Sequence, residues 1–196
     1  MSRPSVEALR REQILTSTCE VVAKRGVAAL RISDVAKDVG FSTGTIHYYF
    51  DDKESLLRAA FAYNVRHSIA RRKDLLASTA NPLELLVKYV DSYLPDDRET
   101  LKAWRVWAEF WAISIRDAHL QSVIDVLDID WRAATVRIIR QGQAEGLIRD
   151  GDPLQFTNML IAMIDGLAIQ VLANSKEMDL STMRDTLHAF IDQLLA

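Results

Sequence analysis

Two short helical segments, separated by only three residues, constrain the fold of this chain more than any other feature of its sequence. Ser33 can cap a helix over residues 34–39, and Gly40 can close it in the left-handed conformation. Ser42 can then cap a second helix over residues 43–49. Apolar side chains at helical spacing can pack both segments onto a preceding helix: Val35, Ala36, Val39, Phe41, Ile46 and Phe50. The pattern predicts a helix–turn–helix.

Helical periodicity also extends over the rest of the chain, so we expect an all-α fold of about nine helices. With only 7 Gly and 4 Pro, the sequence has little turn material for a β-sandwich or barrel. The other helices are predicted at residues 7–25, from Asp51 or Asp52 to about 76, and at 82–95, 98–116, 117–145, 153–174 and 180–195.

Charge is distributed unevenly along the sequence. Residues 1–73 contain 13 basic and 8 acidic residues, a net charge of +5, whereas the remainder carries −8. This asymmetry indicates that only the N-terminal part would meet a polyanion. The single cysteine, Cys19, rules out an intramolecular disulfide and a cysteine-cluster metal site, and we expect it to be a small buried hydrophobe.

Neither a leader nor a membrane span is predicted. The first twelve residues contain no apolar stretch of the kind found in a signal peptide, so we expect a cytoplasmic protein. Residues 153–174 contain one formal charge, Asp165, but several polar side chains interrupt their apolar character. A buried helix is therefore the better interpretation of this segment than a spanning one.

The second short helix carries side chains suited to nucleic acid. Its exposed residues would be Thr43, Thr45, His47, Tyr48 and Tyr49. Such groups can donate hydrogen bonds to phosphates and bases or stack on sugars and methyl groups. Lys53 would begin the next helix, where its charge and the free backbone N–H groups favour a phosphate. The alternative is that the tyrosines only pack and that Ser42 is only a cap.

Residues 40–56 resemble the signature of the TetR family. Their sequence, G-F-S-T-G-T-I-H-Y-Y-F-D-D-K-E-S-L, is similar to G-V-S-x-G-T-L-Y-x-Y-F-x-x-K-E-x-L. The resemblance implies a three-helix DNA-binding domain over residues 1–53 and a helical ligand-binding and dimerisation domain over residues 54–196. It further implies a homodimer, usually a repressor that a small molecule releases from a palindromic operator.

The same resemblance assigns roles to individual residues. It places phosphate contacts on Ser33, Thr43, Tyr48, Tyr49 and Lys53, and base-edge contacts mainly on Thr45 and His47. Ser42 completes the set of candidate DNA-binding residues. The chain departs from the family pattern at His47, where many members carry Tyr, so the operator preference does not carry over.

A second resemblance lies in the C-terminal part. Residues 107–112, W-A-E-F-W-A, resemble the W-x-x-F-W-A stretch of BetI-type regulators, as do residues 164–167. Such regulators control glycine-betaine synthesis genes and respond to choline, which implies choline or another organic cation as the effector. Trp104, Trp107 and Trp111 fall at i, i+3 and i+7, on one stripe of a helix. The stripe could form part of a cage for an ammonium group, or could be core or dimer packing.

Further residues complete the predicted effector site, which comprises Trp104, Trp107, Phe110, Trp111, Trp131, Phe156, Met163 and Asp165. Asp165 lies in an apolar helix, where a charge is costly unless paired. It could balance a cationic ligand or bond across a dimer interface. Phe156, Met159 and Met163 could line an adaptable pocket wall or fill gaps in the core.

The last two helices are the predicted dimer interface, because together they are more apolar than one core contact requires. The candidate interface residues are Ala162, Gly166, Ile169, Leu187, Phe190, Ile191 and Leu194. Two helices from each subunit would form a four-helix bundle.

Two other classes of function were weighed. An enzyme would need its acid and base groups together, but His47, His67, His119 and His188 fall on separate predicted helices, and no catalytic motif occurs. We therefore predict no catalytic residue, no metal site and no cofactor. The alternative is a helical adaptor that does not bind DNA. The basic, tyrosine-bearing face and Lys53 argue against it.

Overall fold

The computed structural model describes residues 5–77 and 81–196, apart from the side chains of residues 118, 119, 123 and 126–128. The described part of the chain forms ten helices and confirms the all-α prediction. They are α1 (Val6–Arg25), α2 (Ile32–Val39), α3 (Thr43–Tyr49), α4 (Lys53–Ala70), α5 (Lys73–Leu76), α6 (Pro82–Asp91), α7 (Arg98–Ser114), α8 (Ala118–Ala144), α9 (Pro153–Leu172) and α10 (Leu180–Asp192).

Several helices end earlier than predicted, among them α6, which ends at Asp91 instead of 95, and α10, which ends at Asp192 instead of 195. Two further differences have a visible cause. α2 begins at Ile32 with Arg31 at its N-cap, and no side chain caps it, so the predicted cap at Ser33 is wrong. α4 ends at Ala70 instead of continuing to about residue 76. The Arg72 amide there donates to the Ile69 carbonyl in a tighter turn. Of the two predicted caps of α4, Asp52 accepts a 2.7 Å hydrogen bond from the Ser55 amide.

The chain divides into two compact units. The first extends from α1 to residue 67 and includes residues 102–124, and the second comprises residues 68–101 and 125–196. In the first unit α2 packs on α1 and α3 packs on α2, and the fully buried side chains of this unit include Ile14, Val35, Ile46 and Leu56. Each such aliphatic side chain contributes about 1.5–3 kcal/mol by its removal from water. Cys19 is buried there as expected, and burial raises the pKa of its thiol to about 12.

Most of α7 belongs to the first unit, where it contacts both α1 and α4. Phe61 of α4 stacks on Trp107 and Phe110 of α7, with ring centroids 5.3 and 4.7 Å apart. Lys102 Nζ pairs with Glu20 Oε1 of α1 at 3.2 Å. α7 is therefore attached to the helix–turn–helix unit by apolar stacking and by an ion pair.

Glu109 of α7 holds the turn that leads out of α1. Its Oε2 accepts a 2.8 Å hydrogen bond from the buried Val27 amide. Gly26 adopts a φ of +77°, and a Cβ there would lie 3.1 Å from Glu109 Oε2. The close approach of the carboxylate and the positive φ both require glycine at this position.

The second unit is built from α6, α9, α10 and most of α8. Its core contains Leu86, Ile138, Ile139, Leu160 and Leu187, each no more than 2% exposed. Two polar pairs join α6 and the residues after it to α10: His188 Nε2 with Asp91 Oδ1 at 2.7 Å, and Arg184 with Asp96 at 3.2 Å.

Helix α9 is buried on one face only. Phe156, Leu160, Ile164 and Ala168 are buried, whereas Leu154 and Met159 are 49% and 42% exposed. The helix is long and apolar enough to cross a membrane by length and composition, but only 28% of its most apolar window is buried. One face of α9 is therefore buried within the chain, and the other, which carries the stripe predicted for a dimer contact, is exposed in the single chain.

Replacement of Glu109 tests its role in the fold. Glu109→Ala leaves the buried Val27 amide without its acceptor, which should lower the free energy of unfolding by about 1–3 kcal/mol. Thermal unfolding followed by circular dichroism should show the melting temperature fall by about 2–4 °C for each kcal/mol. Glu109→Gln keeps an acceptor oxygen and should lose less than half as much. Equal losses in both variants would show that the hydrogen bond is not what stabilises the turn.

Candidate nucleic-acid interface

The turn before α3 is fixed by local hydrogen bonds and by one glycine. Gly40 adopts the left-handed conformation, with φ 70° and ψ 28°, and the Phe41 amide donates to the Ala36 carbonyl at 2.8 Å. Ser42 Oγ accepts a 3.0 Å hydrogen bond from the Thr45 amide and caps α3. α3 spans Thr43–Tyr49, the range predicted from these caps.

α3 presents one polar face to solvent. Ile46 is fully buried and anchors the helix, while Thr43 and His47 are exposed and Tyr48 is 75% exposed. Tyr49 is half-buried, and its ring makes an edge contact with Tyr48 at 5.1 Å. The exposed face therefore offers a hydroxyl, an imidazole and a phenol, all of which can form hydrogen bonds to phosphates or base edges.

Two predicted contacts are already engaged within the protein. Thr45 is half-buried, and its hydroxyl lies 2.9 Å from Ser42 Oγ. Ser42 is exposed, but its Oγ also serves as the cap of α3. One of the two hydroxyls donates to the other, so the O–H of its partner stays free to donate to a phosphate or a base edge.

Ser33 and Lys53 lie at the first turns of α2 and α4. Ser33 is exposed, and Lys53 is half-buried as the first residue of α4. The backbone amides in the first turn of α4 are less available to a phosphate than expected, because the Asp52 carboxylate accepts a hydrogen bond from the Ser55 amide. The Ser55 hydrogen bonds hold the pKa of Asp52 below its ordinary value. Lys53 therefore has to attract a phosphate by its own charge, next to a fixed carboxylate.

Two arginines that sequence analysis did not single out flank α3. The Arg10 guanidinium lies 5.9 Å from the centroid of the Phe41 ring, and Arg11 lies 5.2 Å from that of Phe50. These rings immediately precede and follow α3 and its cap. The cation–π contacts hold both positive charges of α1 near the ends of α3. In the sequence, the only feature that pointed to these arginines was the positive net charge of residues 1–73.

The predicted effector residues on α7 differ in how much of each side chain is exposed. Trp104 is 7% exposed and Phe110 is 1% exposed, whereas Trp111 is 45% exposed. Trp107 is half-buried and stacks on Phe61. All four lie in the first unit, where Trp107 and Phe110 contribute to packing against α4.

The other predicted effector residues lie in the second unit. Phe156 is buried beneath Gly151, where a Cβ would come within 2.4 Å of its ring, and Arg149 covers the ring at 4.7 Å. This packing shows Phe156 supporting the loop between α8 and α9. Met163 and Asp165 are half-buried on α9, and Trp131 is half-buried on α8.

Trp131 belongs to an aromatic cluster that sequence analysis missed. Its ring centroid lies 6.0 Å from that of Tyr89 and 5.5 Å from that of Tyr93, and the two tyrosine rings are 5.4 Å apart. The Arg72 guanidinium lies 3.5 Å from the Tyr93 centroid. Burial raises the pKa of both tyrosines, so their hydroxyls remain protonated.

The predicted dimer residues fall into two groups. Ala162 and Gly166 of α9 are exposed, and a Cβ on Gly166 would meet nothing within 4 Å. Ile169 and Phe190 are half-buried. Leu187, Ile191 and Leu194 are at most 1% exposed, so the chain itself already buries them. These three contribute to the core of the second unit, whereas Ala162 and Gly166 lie on an exposed face of α9 that also carries Gln155, Asn158 and Gln170.

The other chemistry weighed from the sequence finds little support in the geometry. His188 pairs with Asp91, and His67 stacks on Tyr63 with centroids 5.7 Å apart. The side chain of His119 lies outside the described residues. Among the residues that the structure describes, no group of three His, Cys, Asp or Glu side chains could hold a metal ion.

Comparison with known protein families gives matches over most of the chain. Residues 14–60 match the model of the bacterial regulatory proteins of the tetR family. Residues 82–196 match the model of the C-terminal domain of BetI-type transcriptional repressors.

Individual relatives agree with these family matches. The BetI regulator of Stenotrophomonas maltophilia is 34% identical over 61% of this chain and 62% of that protein. A BetI regulator of Chromohalobacter salexigens is 26% identical over 100% of this chain and 93% of its own length.

Among solved structures, a transcriptional regulator from Saccharomonospora viridis in complex with choline is 32% identical. The similarity covers 95% of this chain and 97% of that one, with a TM-score of 0.90. A TetR-family regulator from Rhodococcus sp. is 28% identical over 95% of this chain and 98% of its own, with a TM-score of 0.82. The chain belongs to the TetR family of bacterial transcriptional regulators, with a C-terminal domain of the BetI type.

Proposed function

We propose that this chain is a cytoplasmic, homodimeric repressor without catalytic activity, and that a small organic cation such as choline releases it from a palindromic operator. The observation that carries the proposal is the solvent-facing polar surface of α3, held by the fully buried Ile46. Residues 1–53 serve as the DNA-binding domain and residues 54–196 as the effector and dimerisation domain.

α3 inserts into the major groove, as the second helix of a helix–turn–helix does. His47 and Thr45 contact base edges. The phosphate contacts come from Ser33, Thr43, Tyr48, Tyr49 and Lys53, with Ser42 beside them at the helix cap. The exposure of Tyr48 supports this division of roles, because a ring left 75% exposed contributes little to packing within the single chain beyond its edge contact with Tyr49.

The exposed apolar face of α9 pairs with the same face of a second copy. Leu154, Met159, Ala162 and Gly166 lie on this face, and the small side chains allow helices to approach closely. A twofold axis through the contact gives two recognition helices, whose half-sites lie one turn of DNA apart or a multiple of it.

The case for a cationic effector rests on relatives and on chemistry. The Saccharomonospora viridis regulator binds choline in its crystal structure and shares the fold over nearly the whole length of this chain. Aromatic faces attract a quaternary ammonium, and this chain places 4 Trp and 5 Tyr in its sequence. An effector shifts operator affinity only by its different affinity for the two conformations of the dimer.

Fluorescence anisotropy on duplex DNA from upstream of the chain's own gene tests the function. Saturable binding that resists excess random DNA, and that millimolar choline reverses, is the expected result. DNA binding that choline leaves unchanged would be consistent with a repressor but would contradict the proposed class of effector. A chain with no salt-dependent affinity for any duplex, selected random sequences included, would be the helical adaptor instead.

His47→Ala should reduce sequence specificity. Loss of one base contact costs about 1–3 kcal/mol on the operator and almost nothing on random DNA. Anisotropy titrations on both duplexes measure the ratio of the two affinities. An equal loss on both would show that His47 contacts the phosphate backbone and not a base.

Lys53→Ala should weaken binding to every duplex alike. Removal of one phosphate contact should lower the slope of log affinity against log salt by about one. Lys176→Ala changes the same charge at an exposed position between α9 and α10, and serves as the control. A loss confined to the operator would contradict the assignment of Lys53 to a phosphate.

Gly166→Arg should break the dimer while leaving the fold of the chain intact. A Cβ at this position meets nothing within 4 Å in its own chain, and the added charge would be buried at the proposed twofold contact. We expect the dimer dissociation constant, measured by analytical ultracentrifugation, to rise about tenfold or more. Ala29→Arg, at an exposed position in the loop after α1, is the control. A dimer unaffected by Gly166→Arg would place the interface elsewhere.

A further inference from the structure

Arg72 is a buried cation, and the nearby Asp97 carboxylate does not form an ion pair with it. Its side chain is 3% exposed, and its Nε donates to Ser92 Oγ at 2.8 Å. Its Nη1 donates to the Ser68 carbonyl and hydroxyl at 2.6 and 2.7 Å, and its Nη2 donates to the Ser92 carbonyl. Within the described residues no acidic side chain forms an ion pair with it. A buried charge normally needs such a partner, so another feature must stabilise this one.

That feature is the aromatic cluster of Tyr89, Tyr93 and Trp131. Tyr93 presents its face to the guanidinium at 3.5 Å, and the Tyr89 and Trp131 rings meet the Tyr93 ring edge-on. The negative potential on an aromatic face attracts a cation most strongly where water is excluded. The cluster and the neutral oxygens of Ser68 and Ser92 therefore supply an environment that tolerates a positive charge without a counter-ion.

We propose that Tyr89, Tyr93 and Trp131 bind the cationic head of the effector, which competes with the Arg72 guanidinium for the face of Tyr93. This inference rests on the proposed function, since it requires a cationic effector. A quaternary ammonium suits the site, because it donates no hydrogen bonds and needs only aromatic faces and close packing. All the residues involved lie within the second unit.

The competition has a structural consequence for α4. Arg72 ties Ser68, in the last turn of α4, to Ser92, immediately after α6. When a ligand takes the face of Tyr93, the guanidinium has to leave and these hydrogen bonds break. Binding of the effector therefore releases the end of the helix that begins at Lys53, directly after the recognition helix.

Calorimetric titration of the full chain with choline, and with its neutral carbon isostere 3,3-dimethylbutan-1-ol, tests the site. The wild-type chain should bind choline more tightly than the isostere. Tyr93→Leu should weaken choline binding about 30-fold and remove the preference for the cation. Tyr93→Phe keeps the aromatic face and should remain within about threefold of the wild type. Trp111→Leu, which removes a 45% exposed ring from the α7 tryptophans, tests the rival site predicted from the sequence and should leave choline affinity unchanged if the cluster is the site.

Arg72→Ala tests the competition separately. Removal of the internal competitor and of its positive charge should tighten choline binding about threefold or more. An arginine that only supports the structure would give the opposite result, a weaker affinity together with a lower melting temperature. If circular dichroism shows that Tyr93→Leu does not fold, the choline affinity of Arg72→Ala tests the proposed site by itself.

The outcomes separate the site from the proposed effector class. Choline binding that survives Tyr93→Leu but is lost in Trp111→Leu would overturn the site and leave the effector class intact. Weaker binding in Arg72→Ala would overturn the competition. A wild-type chain that binds operator DNA but neither choline nor tetramethylammonium would overturn both the site and the effector class, while leaving the repressor function standing.

Discussion

The attachment of α7 to α1 and α4 is the interaction on which the DNA-binding unit depends. Phe61 lies against Trp107 and Phe110, and Glu109 accepts the hydrogen bond of the buried Val27 amide at the turn into α2. Yet α7 falls within residues 82–196, which match the C-terminal family model. The turn that leads into the helix–turn–helix is thus held by a side chain of the part that matches the C-terminal family model. A displacement of α7 has to alter the Glu109 contact, which would connect effector binding to DNA binding under the proposed function.

Local chemistry explains why some of this structure could be predicted from the sequence. α2 ends and α3 begins at the predicted residues because a left-handed glycine and a serine cap act within a few residues of each other. The end of α4 could not be predicted in the same way. No proline or glycine interrupts residues 71–76, and the side chain of Arg72 is instead engaged by Ser68, Ser92 and Tyr93. Such tertiary contacts override helical periodicity and leave no local signal.

Helical periodicity shows that a helix has an apolar face, but it does not show whether the same chain or a second copy buries that face. Leu187, Ile191 and Leu194 show the same helical spacing as a dimer-forming stripe, but the second unit buries them itself. Ala162 and Gly166 remain exposed on α9. An apolar helix on the surface of a single chain is an unfavourable exposure that a second copy relieves. The interface is therefore better sought on α9 than on α10, a distinction that requires coordinates.

The two aromatic groups differ in a way that bears on cation binding. Residues 104 and 111 of one helix are about 10 Å apart along its axis, so their rings cannot surround one ammonium group. Tyr89 and Tyr93 are four residues apart, and Trp131 comes from a different helix, which brings three centroids within 6.0 Å of one another. A cage needs rings that converge from separate elements, and a stripe along one helix does not supply them. The guanidinium already held against Tyr93 shows which of the two groups tolerates a positive charge.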